Sequence, residues 1–223
     1  MRQTFIAMGI CCAIGISTLA CQDKSKDYTD PTLPVSERVS SLMSQMTLEE
    51  KVAQMCQYVG LEHMKKAEKD MSAEDLKHSH SQGFYPNLHS SDVEEMTKKG
   101  LISSFLHVVK AEEANYLQSL AQQSRLKIPL LIGIDAIHGN GLYRGSTIYP
   151  TPIGQAATFD PALVERMSRE TAIEMRASGM HWTFTPNVEV ARDARWGRVG
   201  ETFGEDPYLV GQMGAATVRG FQT

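Results

Sequence analysis

The chain has 223 residues, enough for one sizeable domain or for part of a larger one. Apolar residues make up 42% and charged ones 22%, an ordinary globular composition, and 26 acids against 22 bases leave a net charge of −4. That balance gives no electrostatic case for a nucleic-acid partner, and three of the four cysteines crowd into the first twenty-one residues, so there is no disulfide framework.

Arg2 supplies a positive start, and Phe5 to Leu19 form an apolar run too short for a comfortable membrane span. The run ends in Thr18-Leu19-Ala20-Cys21 and polar residues follow at once. Small residues before a cysteine resemble the lipobox of bacterial lipoproteins. Residues 1–21 are therefore expected to be a lipoprotein signal peptide, with Cys21 lipidated and the mature protein exported, in the periplasm or at the outer membrane. An ordinary secretion signal and a transmembrane anchor are the alternatives. Residues 22–33 are polar and proline-bearing, the composition of a tether.

The body begins with a short helix, a break near Met46, and a second helix that Thr47 and Glu50 open as a capping box. Val52, Met55, Cys56 and Val59 fall at helical spacing, which predicts one buried face and a packed Cys56 thiol. From Leu61 to Lys99 the periodicity weakens among lysines, acids and four histidines (His63, His78, His80, His89). No convincing ligand spacing accompanies His78 and His80, so this stretch reads as a solvated insertion and no metal is implied.

Ile102, Phe105, Val108 and Val109 predict a buried strand, and Ala114, Leu117, Leu120 and Ala121 give one face of a helix over 111–126. Leu130 to Ile134 is a continuous apolar run, the pattern of a strand buried on both faces. Asp135 then stands at a strand's C-terminal end, with His138, Arg144 and a later arginine loop as candidate partners. Asp160 caps a helix that Pro161 starts and Gly179 ends; a strand over 181–186 and a helix from Asp206-Pro207 towards Gly220 repeat the unit. Parallel strands joined by helices make the fold α/β, a (β/α)8 TIM-barrel type. A doubly wound sheet is the alternative, but no GxGxxG turn follows a strand.

Thr185 to Pro207 concentrates the chemistry: TPNVEVARDARWGRVGETFGEDP. Arg192, Arg195 and Arg198 face Glu189, Asp193, Glu201, Glu205 and Asp206, with Trp196 among them. Three guanidinium groups can pair the local acids and still leave a fork for a polar ligand. A purely structural salt-bridge loop is the competing reading, but Trp196 and the glycines around it favour a ligand site.

Four segments together resemble the N-terminal barrel domain of glycoside hydrolase family 3, the β-glucosidase and β-xylosidase family: VSERVSSLMSQMTLEEKVAQM, IPLLIGIDAIHGN, STIYPTPIGQAATFDP and PNVEVARDARWGRVGETFGEDP. They stand in the family's order and cover most of 34–223. The resemblance implies hydrolysis of O-glycosyl bonds, with release of β-linked glucose or xylose from the non-reducing end of an oligosaccharide. It also implies that Asp135 accepts from the sugar hydroxyls and that Arg198 contacts the same sugar. Arg192, Arg195 and Glu201 are assigned to holding the loop, and His138 to supporting Asp135. No cofactor is implied.

A retaining glycosidase needs a nucleophile and a general acid about 5–5.5 Å apart. The family's nucleophilic aspartate, its Lys-His sugar contact and its general acid have no matching position among these residues. Asp206 caps a helix, and the arginines around Glu201 keep it ionised rather than proton-donating. The sequence thus predicts the N-terminal part of a barrel that by itself turns over no glycoside, a closed barrel needing about 250 residues. The rival readings are a non-catalytic, surface-anchored carbohydrate-binding lipoprotein and a small α/β domain whose arginine loop binds an anion.

Overall fold

The computed structural model describes residues 28–72, 74, 85 and 88–223. The expected signal peptide, Cys21, the tether before Tyr28, and His78 and His80 lie outside the described residues. The chain divides into two compact units, Met1–Gln45 and Met46–Thr223. The first carries helix α1 (Val35–Gln45), where Arg38 Nε donates to the Tyr28 carbonyl at 2.8 Å.

The second unit opens on α2 (Leu48–Ala53). Glu50 N donates to Thr47 Oγ1 at 3.2 Å while Thr47 N donates to Glu50 Oε2 at 2.9 Å, the expected capping box, which satisfies two otherwise orphaned donors. The helix stops at Ala53. Met55 is 80% exposed, Cys56 lies in the following turn, and Val59 belongs to strand β1 (Gln57–Val59). The helical face expected through 59 does not form, because residues 57–59 gain ladder hydrogen bonds from β2 (Ser104–Leu106), and the Ser103 and Ser104 hydroxyls bond the Cys56 carbonyl.

Four parallel strands lie in sequence order, β1 and β2 followed by β3 (Leu131–Ile134) and β4 (Trp182–Thr183). This is the α/β class expected, present as an open sheet and not a closed barrel. Tyr58, Phe105 and Ile132 are register partners, and Phe105, Ile132 and Ile134 are wholly buried beneath helices. Burial of each such side chain contributes about 1.5–3 kcal/mol before entropy is counted. Their cover is α3 (Leu61–Asp70), α4 (Ser90–Lys98) and α5 (Ala111–Ala121), through Leu61, Met64, Val93, Leu117 and Leu120. The flanks of the stretch read as a solvated insertion are thus core helices. Each hides only a narrow apolar stripe under a charged surface, which is why periodicity under-reported them. The sheet's opposite face is open at Leu131 and Trp182, 53% and 42% exposed, while Gly133 on that face is buried against the Phe184 ring, so β3 is buried on both faces except at Leu131.

Beyond β3 come α6 (Pro152–Ala156), α7 (Pro161–Ala177) and α8 (Pro207–Gln222). Asp160 accepts from Leu163 N, and Asp206 from Tyr208 N, each ahead of a proline at the helix start. Val164, Val210, Met213 and Ala216 join the two long helices, with Phe203 and Ala156, in a second apolar cluster. Among the described residues no helix is long and apolar enough to cross a membrane.

Candidate functional site

The C-terminal ends of β2, β3 and β4 lie side by side; His107 directly follows β2, Asp135 directly follows β3, and the arginine loop comes after β4. Asp135 follows Ile134 directly. The segment behind it is pinned to β4, since Ala136 N donates to Thr183 Oγ1 at 3.3 Å. Its carboxylate is paired with neither His138 nor Arg144, the partners the sequence offered, but with His107, whose Nε2 stands 2.9 Å from Asp135 Oδ2. The two side chains are 21% and 42% exposed, so the pair opens to solvent on one side and Asp135 is less buried than expected.

His107 follows β2 with φ of +56°, in the left-handed region that non-glycine residues seldom occupy. The backbone is held there from both flanks: His107 N donates to the Gly133 carbonyl at 3.0 Å, and Gly60 N to the Leu106 carbonyl at 2.9 Å. His138 is used differently. Its Nδ1 lies 3.0 Å from the Tyr149 carbonyl, and Tyr149 N donates back to the His138 carbonyl at 2.8 Å. This reciprocal pair fastens the loop after β3. Gly139, at φ of +96°, makes the fold-back possible, since a Cβ there would collide with the Thr147 carbonyl.

The arginine loop leaves β4 through a cis Thr185–Pro186 bond. Its base is closed by Ala191 N donating to the Gly204 carbonyl at 3.0 Å and by the Thr202 hydroxyl donating to the Glu189 carbonyl. Inside it the charges sort into separate pairs. Arg195 clamps Asp193, with Nη2 2.6 Å from Oδ2. Arg198 gives Nε and Nη2 to one oxygen of Glu201 at 3.0 and 2.6 Å, and Asn187 Nδ2 donates to that same oxygen at 3.1 Å. The Arg198 side chain makes no ion pair with Asp135. It does lie in Asp135's field: the Glu201 hydrogen bond does most to hold the guanidinium protonated, and Asp135 adds a smaller share. Arg198 in turn depresses the Glu201 carboxyl below the usual range, as Arg195 does for Asp193. Glu201 is therefore ionised at neutral pH and cannot serve as a proton donor. Arg192 makes no side-chain hydrogen bond or ion pair among the described residues.

Chemically, the arrangement offers an acceptor (Asp135) and a donor fork (Arg198) at one end of a parallel sheet, each tethered by a further side chain. That combination suits a neutral polyhydroxy ligand, whose hydroxyls both donate and accept. Sequence reasoning missed His107 and Asn187. The signal for His107 was of the same kind as for Asp135, a polar side chain at the end of an apolar run. Among the described residues no cluster of three His, Cys, Asp or Glu side chains could hold a metal ion.

Residues 47–223 match the family model described as the glycosyl hydrolase family 3 N-terminal domain. A putative β-xylosidase of Formosa agariphila is 34% identical over 222 residues, covering 93% of this chain and 27% of that protein. The periplasmic β-glucosidase of Salmonella typhimurium is 29% identical over 219 residues, covering 95% of this chain and 25% of that one. A crystal structure of a β-glucosidase from Listeria innocua in complex with glucose is 34% identical with a TM-score of 0.65, covering 83% of this chain and 24% of the other. The chain thus spans about a quarter of the length of these relatives. It belongs to glycosyl hydrolase family 3, through that family's N-terminal domain.

Proposed function

We propose that this chain supplies the sugar-holding part of an exo-acting β-glycosidase that releases β-linked glucose or xylose from non-reducing ends with retention of configuration. The observation that carries the reading is the half-exposed Asp135 carboxylate at the end of β3, with one oxygen on His107 and the other without a side-chain partner among the described residues. Asp135 accepts from neighbouring hydroxyls and Arg198 donates to the oxygens around them; a ligand lacking those hydroxyls matches neither the remaining Asp135 oxygen nor the remaining Arg198 N–H groups. The retaining pair comes from segments that the longer relatives carry outside the matched region, since Glu201 and Asp206 are committed to Arg198 and to a helix cap. The 223 residues alone should release no p-nitrophenol from p-nitrophenyl β-glucoside; hydrolysis that disappears in Asp135→Ala would refute this division of labour.

We also propose export with lipid attachment at Cys21, supported by the Leu19-Ala20-Cys21 sequence and by relatives described as periplasmic. Palmitate label should be absent from Cys21→Ala; undiminished labelling rejects the assignment.

A further inference from the structure

A carboxylate and a guanidinium within reach of each other attract, and a direct ion pair between them would consume the groups a sugar needs. Asp135 and Arg198 make no such pair. Each is tied elsewhere. Arg198 is held by Glu201, which Asn187 steadies. Asp135 is held by His107 from the neighbouring strand end.

We propose that His107 is the positioning residue of the sugar subsite: its Nε2–H holds Asp135 Oδ2, fixes the carboxylate's orientation, and leaves Oδ1 open to the sugar hydroxyls. An ionised carboxylate only accepts, so the proton of this hydrogen bond sits on Nε2. Asp135 makes no other side-chain hydrogen bond among the described residues, so His107 alone sets its orientation there. The backbone supports a purposeful placement. A histidine at φ of +56° is held in an uncommon conformation by the ladder bonds on both sides of it, and that turn sends its ring across to β3. A binding group held in one geometry loses less entropy when the ligand arrives.

This inference rests on Asp135 being a sugar contact, so its test includes a variant that judges that reading separately. Glucose is titrated into the 223-residue chain and into Asp135→Asn, His107→Leu and His107→Gln, with affinity as the readout. Leucine and glutamine carry the same backbone cost at a left-handed position, but only glutamine has an amide to donate to Oδ2. The expected result is loss of binding in Asp135→Asn, about tenfold weaker binding in His107→Leu, and affinity within about threefold of the unaltered chain in His107→Gln. Loss in Asp135→Asn with His107→Leu unchanged overturns the inference and leaves the subsite standing. Equal weakening in both His107 variants also overturns it, since packing alone would then explain the effect. Glucose binding that is unmeasurable in the unaltered chain, or undiminished in Asp135→Asn, overturns the subsite and this inference together.

Discussion

Arg198 gives one N–H each from Nε and Nη2 to a single oxygen of Glu201, so the fork of Nη1 with the second Nη2 N–H is left to meet a ligand. The pair defines the loop's shape as well as its charge, because Asn187, at the far side of the loop, donates to the same oxygen.

That sharing sets a pH dependence. The Glu201 carboxyl is depressed, chiefly by its hydrogen bond from Arg198. A depressed acid stabilises the fold above its unfolded value, about 4.3 for glutamate, and the contribution is lost as pH falls through the folded value. Acidification below about pH 4 should therefore loosen the loop and alter the emission of Trp196, which lies between the two arginine pairs. Glu201→Gln should remove most of that transition. An identical acid response in Glu201→Gln would show that the pair does not govern the loop.

Glu113 predicts the opposite slope. It sits 5% exposed at the start of α5, with Oε1 accepting from Glu62 N at 2.8 Å and Oε2 lacking a partner among the described residues. Burial raises its carboxyl above the ordinary range. The folded state then holds the proton that the unfolded chain releases, so stability is complete below about pH 4.3 and falls as pH rises through the folded value. Glu113→Gln keeps an acceptor for Glu62 and carries no charge. Urea titrations from pH 4 to 8 should show a flatter profile for this variant, which at pH 8 is the more stable by about 1–2 kcal/mol. A parallel profile would show that Glu113 does not bear the cost of its burial.

Two glycines of α8 should respond with opposite signs. A Cβ at Gly220 would collide with the Glu165 carbonyl of α7 and lie 2.6 Å from Ser168 Cβ, so the helices touch backbone to side chain there. Gly220→Ala should cost about 2–3 kcal/mol, because neither helix can yield without losing the cluster around Val164 and Met213. Gly211 faces open space, and Gly211→Ala should gain about 0.5–1 kcal/mol from helix propensity. Thermal unfolding of the two variants checks the pair, and a shift in the same direction for both would contradict the packing described.

Local signals identified what local physics decides. Asp160-Pro161 and Asp206-Pro207 announced both long helices, and Thr47 with Glu50 announced the capping box that the structure contains. Residues 57–59 were misread because Val52, Met55, Cys56 and Val59 keep helical spacing, while the competing β2 ladder comes from nearly fifty residues away in sequence. The same limit hid the site's internal pairing. Asp135 was visible as a carboxylate ending an apolar run, but its partner is fixed by the register of β2 on β3, which brings Leu106 beside Gly133 and so His107 beside the end of β3. Arg195 with Asp193 and Arg198 with Glu201 lie two and three residues apart, short enough for sequence to propose the charge cluster but not to say which acid each arginine takes.

The central claim is that Asp135 and Arg198 hold a sugar, while Arg195, clamped on Asp193, and Arg192, without a side-chain pair among the described residues, do not. Glucose titrations of Asp135→Ala, Arg198→Ala, Arg195→Ala and Arg192→Ala test it most directly. Loss of a charged hydrogen-bonding group should weaken binding about tenfold or more in the first two, and Arg195→Ala and Arg192→Ala should stay within about threefold of the unaltered chain. Undiminished binding in Arg198→Ala, or equal losses across all three arginines, would contradict it.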